Sequence, residues 1–194
     1  MDGKRMYDDY NKMYVAFESA RSRYIKMENF NNYIKNDKCF LRLRNNVRHN
    51  FTELYSAVAK EFGLPEIPIY ITTRKKNRVL GLTFYPEKMP SEVRIYPFRA
   101  NGDVNQEYLK PSDINCESLE CIFETAVHEF AHVLDIIRRG KSDHEYEFVQ
   151  SYLEIYMFLS QTDYGRFFDK RIVLTGCPES SYANEFRTLN FCDN

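Results

Sequence analysis

Three of the four histidines in the chain, His128, His132 and His144, lie close together in 126-AVHEFAHVLDIIRRGKSDHEYEFV-149. His128 and His132 are four residues apart, which is about one turn of an α-helix, so both imidazoles can reach a single ion. Glu129 follows the first histidine and completes the pattern H-E-x-x-H. Neutral imidazole is a common zinc ligand. The spacing therefore predicts a metal site with a carboxylate beside it.

The pattern of the surrounding helix favours ligands over a chance spacing. The predicted helix has one apolar stripe, formed by Leu119, Phe123, Ala126, Phe130, Leu134 and Ile137. His128 and His132 lie on the opposite side, together with Cys121, Thr125 and Asp135, at about 100° per residue. We therefore expect the two histidines to lie outside the core stripe.

His144 can complete the site. The helix is predicted to end at Gly140, and Ser142-x-x-Glu145 is a capping-box signal that restarts a helix running to about Leu159. The five residues 140–144 can extend about 16 Å, which is enough for the chain to return to the ion. His144 is then expected in the first helical turn, where the helix dipole favours the neutral imidazole.

Three neutral ligands would give the ion the character of a catalytic centre. Such a site leaves one coordination position open for water, whose pKa falls toward about 7 on zinc. Glu129 can take the proton of this water and pass it to a leaving amine. The sequence thus predicts zinc-dependent hydrolysis of peptide bonds without a covalent intermediate.

The motifs resemble those of a known family. HEFAH followed by HEYEF resembles the SprT-like zincin pattern H-E-x-x-H…H-G-x-x-F, and 144-HEYEFVQSYLEIY-156 is similar to the H-G-P-E-F-V-x-x-Y-L segment of small metallohydrolases. This resemblance implies a zincin-like fold, with His128, His132 and His144 as Zn²⁺ ligands and Glu129 as general base. Glu145 replaces the usual glycine. The zinc ribbon and DNA-binding tail of the larger DNA-repair proteases are not in this sequence, so their substrate does not transfer.

Other ligand sets remain open. A metzincin would place glycine and histidine where this chain has Asp135 and Arg138. Asp135 is either a substitute or supporting ligand or a solvated helix residue. Glu154 is either the third ligand of a gluzincin-like site or a surface glutamate.

Two other functions share these residues. The chain could be an interaction or structural protein that keeps a zincin scaffold without turnover. It could also be a zinc hydrolase acting on a non-peptide amide.

The order of helix and strand patterns around the site predicts an α+β fold, and we expect a single domain, 1–194. Helices are expected at 3–35 and 50–63, followed by three short strands at 67–73, 79–86 and 92–98 and then by the active-site helix, 118–139, and the helix carrying the third ligand. In the family, the strand before the active-site helix pairs with extended substrate, which implicates 93–98; the alternative is that 93–98 is an ordinary core strand.

Charge and composition limit the partners. Residues 1–110 hold 20 Lys+Arg against 13 Asp+Glu, a net +7, so the remaining residues carry −8 of the total −1. The basic run Arg74, Lys75, Lys76 and Arg78, with Arg42, Arg44 and Arg48, predicts at most weak nucleic-acid binding; the alternative is a solvated loop. No apolar run or secretion signal is present, so we expect a cytoplasmic protein with no membrane partner. The five cysteines lack C-x-x-C pairs and are expected to be free thiols.

Overall fold

The computed structural model describes residues 2–73, 79–100 and 108–167 and has an α+β fold, as predicted. The helices are α1 (Gly3–Arg23), α2 (Met27–Asn36), α3 (Lys38–Phe62), α4 (Leu119–Arg139) and α5 (Tyr146–Ser160). The strands are β1 (Ile69–Thr73), β2 (Gly81–Phe84), β3 (Glu92–Ala100) and β4 (Ile114–Cys116). Short 3₁₀ turns lie at Pro86–Lys88, Pro111–Asp113 and Asp163–Phe167. Within these ranges, no helix is both long enough and apolar enough to cross a membrane.

The N-terminal helices differ in their bounds from the prediction. The expected helix 3–35 is interrupted after Arg23, where Tyr24 adopts an extended conformation, and resumes as α2. The third helix begins at Lys38 rather than at residue 50, because the Asp37 side chain caps it by accepting a hydrogen bond from the Phe40 amide at 2.8 Å. It ends as predicted at Gly63, which has φ +67°.

The sheet places β3 in its interior. β3 is parallel to β1 and antiparallel to β2 and β4. Ile95 pairs with both Ile71 and Gly81, so the backbone of β3 is engaged along both sides. The interpretation of 93–98 as an edge that pairs with substrate is therefore wrong, and the alternative interpretation, an ordinary core strand, is confirmed. The three-residue strand β4, which lengthens the sheet to four strands, is too short to give a sequence pattern.

Helix α4 lies in the core and is covered on more than one side. Gly140, with φ +70°, ends it as predicted, and Ser118, the expected first residue, is instead its N-cap. The single apolar stripe is not what the structure shows, because Ile137 is 38% exposed while residues outside the stripe are buried, namely Ile122, Val127, Ala131, Val133 and Ile136. The sheet packs against one side of α4 and α5 against another. A helix covered in this way is a rigid support for the histidines.

Aromatic rings join the N-terminal helices to the sheet. Phe17 of α1 stacks on Phe98 of β3, with ring centroids 4.4 Å apart, and meets Phe30 of α2 edge to face at 5.4 Å. All three side chains are at most 1% exposed. This cluster holds β3, and through it the strands next to α4, against the helical layer.

We predict that Phe17→Ala lowers the free energy of unfolding by about 3–5 kcal/mol, because it removes a stacked ring and leaves a cavity. Ile25→Ala is the matched control, since Ile25 is 85% exposed and its truncation should change stability little. Urea denaturation followed by circular dichroism measures both. Equal effects of the two substitutions would contradict this account of the core.

Candidate metal centre

The three predicted ligands converge on one point. Nε2 of His128 lies 3.1 Å from Nε2 of His132 and 3.1 Å from Nε2 of His144. One ligand atom from each side chain falls within 4.8 Å of the other two. The first two histidines come from successive turns of α4, and the third comes from the connection to α5.

This arrangement fits a cation better than it fits hydrogen bonds among the imidazoles. A ring nitrogen has one in-plane lone pair or one proton, so Nε2 of His128 cannot form good hydrogen bonds with both neighbours at once. Tetrahedral zinc, with Zn–N distances of about 2.0–2.1 Å, places its ligand nitrogens roughly 3.3 Å apart. The observed spacing of 3.1 Å is close to this value. The residues present therefore match the donor set of a zinc ion.

Burial keeps the imidazoles of His128 and His132 neutral. It lowers the pKa of His128 to about 3, with a smaller effect from His144. Burial likewise lowers the pKa of His132 to about 2, and His128 and His144 add to the effect. Nitrogen lone pairs are thus available at neutral pH, as metal binding requires.

Phe148 forms an apolar floor beneath the three rings. Its ring centroid lies 4.9 Å from that of His128, 4.4 Å from that of His132 and 4.8 Å from that of His144. The side chain is fully buried on the first turns of α5. The spacing H-x-x-x-F in the sequence thus has a physical role, because it fixes the orientation of all three imidazoles.

His144 does not lie in a helix, contrary to the prediction. Helix α5 begins at Tyr146 with Glu145 as N-cap, and the predicted capping box of Ser142 and Glu145 does not form. His144 has φ +59°, a left-handed conformation that is uncommon for a residue with a side chain. Glu145 has φ −78°, so no glycine is needed at that position. The departure from the family pattern is accommodated because the strained residue is the histidine itself.

Ser142 contacts His132 instead of capping α5. Its Oγ lies 2.7 Å from Nδ1 of His132. If Nε2 of His132 faces an ion, Nδ1 carries the proton and donates to the serine oxygen, which fixes the ring and its tautomer. Sequence reasoning missed this contact because the spacing of Ser142 and Glu145 also matches a helix start.

A buried ion pair anchors the connection that carries His144. Asp135, which is fully buried, accepts two hydrogen bonds from Arg139, both at 2.7 Å. Arg139 also donates to Asp143 at 2.8 Å, and the Glu145 amide is 3.3 Å from the same Asp143 oxygen. Hydrogen bonds from Arg139 and Lys141 hold the pKa of the Asp143 carboxyl well below its usual range. Asp135 is therefore neither a solvated residue nor one of the converging ligands.

Glu154 lies away from the converging nitrogens. Its carboxylate pairs with Arg138 through two hydrogen bonds, at 2.6 and 3.2 Å, on an exposed surface. Of the two candidates for third ligand, the structure brings His144 and not Glu154 to His128 and His132.

Glu129 is buried beside β2. The Thr83 hydroxyl, which also lies 3.0 Å from the Glu129 carbonyl oxygen, donates to Oε2 of the carboxylate at 2.7 Å. Burial raises the pKa of Glu129 to about 7, although the hydrogen bond from Thr83 opposes the shift. Gly81 approaches so closely that a Cβ there would lie 2.5 Å from Oε1. Neither Thr83 nor Gly81 has a sequence signal, because their role depends on how β2 packs against α4.

The basic run Arg74, Lys75, Lys76 and Arg78 lies outside the described residues. Among the cysteines that the structure describes, Cys39, Cys116 and Cys121 are free, as expected. Burial raises the pKa of Cys116 to about 12 and that of Cys121 to about 11. These two thiols therefore stay protonated at neutral pH.

We predict that His144→Ala loses most of the bound zinc and that Glu154→Ala keeps it, because only His144 reaches the other two imidazoles. Metal analysis of the purified variants after dialysis measures the ratio of zinc to protein. Zinc loss in Glu154→Ala with retention in His144→Ala would overturn the ligand set.

We also predict that Asp143→Ala weakens zinc binding about 10–100-fold, the usual effect of losing a group that orients a ligand. The matched control is Lys141→Ala, which removes the exposed partner of Asp143 and leaves the hydrogen bond from Arg139 in place. Competition with a chromogenic chelator gives both affinities. Wild-type affinity in Asp143→Ala would show that the anchor does not position His144.

Comparison with known proteins does not assign a family or a function to this site. No family model, curated protein or solved structure matches the chain.

Proposed function

We propose that the chain is a zinc-dependent metallopeptidase of the zincin type, in which His128, His132 and His144 hold the ion. The observation that carries the proposal is the convergence of three imidazoles, two of them on α4, a helix that also carries a buried glutamate. When bound, Zn²⁺ supplies a Lewis acid that polarises the scissile carbonyl and acidifies water.

Glu129 is the general base in this proposal. Burial holds its pKa near neutrality, where a carboxylate can both accept and return a proton. As the water oxygen bonds to the carbonyl carbon, Glu129 takes a water proton. It then delivers the proton to the nitrogen as the C–N bond breaks. Thr83 orients the carboxylate through its hydroxyl hydrogen bond.

The strand β2 replaces 93–98 as the docking edge for an extended peptide. In the described part of the chain, β2 pairs with β3 alone, so one side of its backbone has no strand partner. It also packs against α4, with Gly81 and Thr83 directly on Glu129. A peptide that adds to this edge therefore passes close to the base, and its main-chain groups supply the affinity. The likeness to SprT-like zincins in H-E-x-x-H and H-x-x-x-F supports the same arrangement.

We predict that Glu129→Gln lowers peptide hydrolysis about a hundredfold or more while zinc content and fold are retained, because an amide of similar volume cannot accept the proton. Glu120→Gln, an isosteric change near the exposed start of the same helix, should leave activity unchanged. A peptide-library cleavage assay read by mass spectrometry measures turnover, with zinc content determined on the same samples.

The possible outcomes of this experiment distinguish the candidate functions from one another. Turnover above roughly a tenth of wild type in Glu129→Gln would remove the general-base assignment, given the usual size of such catalysis. A zinc-loaded wild-type protein that cleaves no peptide but hydrolyses small amides would indicate the non-peptide hydrolase. Zinc without any turnover would indicate a scaffold.

A further inference from the structure

A second cleft, separate from the metal centre, lies between α3 and the sheet. It has a volume of about 350 Å³ and is lined by the guanidinium groups Arg44, Arg48 and Arg94, together with Asn45, Tyr70 and Thr72. β1, which forms one wall, pairs with β3 on the side opposite to β2. The cleft is thus at the other edge of the sheet from the strand that packs on Glu129.

Two elements bring the arginines together. Arg44 and Arg48 are four residues apart on α3 and so project from one face of the helix. Arg94 lies beside Tyr70 in the register of β3 and β1, so these two side chains share a face of the sheet. The cleft is where the helix face meets this face of the sheet.

The positive charges in the cleft are not balanced. Arg94 pairs with Glu92 and also lies over the Phe84 ring, 4.5 Å from its centroid. Arg44 and Arg48 have no carboxylate partner among the residues that the structure describes. Among the described residues that line the cleft, three arginines and one glutamate, Glu92, give a net charge of +2.

This imbalance is unfavourable for the protein alone. Arg44 is partly buried, and burial together with the neighbouring Arg48 lowers its pKa. Like charges four residues apart on a helix destabilise it. A partly desolvated cation without a partner adds to that cost. Such an arrangement becomes favourable when an anion enters.

We propose that this cleft binds the phosphate group of a small phosphorylated ligand. A dianionic phosphate matches the local charge of +2, and guanidinium groups donate paired hydrogen bonds to phosphate oxygens. Tyr70, Thr72 and Asn45 also line the cleft, and their side chains carry groups that can donate hydrogen bonds. The volume of the cleft is in the range of pockets for small molecules.

The test is a titration of the full chain with inorganic phosphate, against chloride at matched ionic strength, followed by thermal unfolding and calorimetry. Saturable stabilisation by phosphate is expected, with affinity reduced at least tenfold in Arg44→Gln. Arg42→Gln is the matched control, because Arg42 is exposed on the same helix and does not line the cleft. The titration is repeated with a chelator, because phosphate can also bind zinc.

Four results would overturn the proposal. They are an equal response to chloride, full phosphate affinity in Arg44→Gln, a response that disappears with the chelator, and binding of a labelled oligonucleotide but not of inorganic phosphate. A stability measurement in phosphate-free buffer adds a further criterion. Arg44→Gln should unfold at the same or higher urea concentration, since it relieves repulsion, whereas a lower midpoint would assign Arg44 a structural role.

Discussion

The close approach of three imidazole nitrogens is the constraint on which the surrounding structure depends. Nε2 of His128 lies 3.1 Å from Nε2 of both other histidines, and rings in this arrangement gain little from one another, so other contacts must hold them in place. Helix α4 fixes His128 and His132 because it is buried along most of its length. Phe148 supports all three rings from α5. The sheet and the N-terminal helices help to hold the histidines because they pack against α4.

The connection between α4 and α5 resolves a conflict between local and global preferences. The local sequence prefers a helix start at Ser142, whereas the converging site needs Ser142 beside His132 and His144 in a left-handed conformation. Backbone strain of this kind costs about 1–3 kcal/mol and persists only where surrounding contacts enforce it. Here the contacts are ionic, from Asp135 through Arg139 to Asp143. These ionic contacts, together with the packing of Phe148 against His144, therefore fix the path of the chain.

Sequence reasoning reached those parts of the site that depend on local spacing. Gly140 ends α4 as its type predicts, and four-residue spacing put His128 and His132 on adjacent turns. It failed where position depends on tertiary packing. The sequence leaves Asp135 as either a ligand or a solvated residue, because the four-residue spacing from Arg139 allows an ion pair but does not show that α4 is covered there. The sequence alone could not decide whether 93–98 lies at an edge or in the interior of the sheet, because strand order is set by pairing between distant segments. The contacts of Thr83 and Gly81 with Glu129 could not be predicted either, because they depend on how distant segments pair and pack.

The positions of the three proposed ligands along the chain affect the thermodynamics of folding. His132 belongs to α4 and His144 lies beyond its end, so an ion held by both is a cross-link that closes a short chain loop. In the chain-entropy treatment, closing a loop of about 15 residues removes about 3 kcal/mol of conformational freedom from the unfolded ensemble. That amount is comparable to the strain at His144. Metal occupancy and the docking of α5 on α4 are therefore expected to form one cooperative unit, with the ion acting as a reversible counterpart of a disulfide.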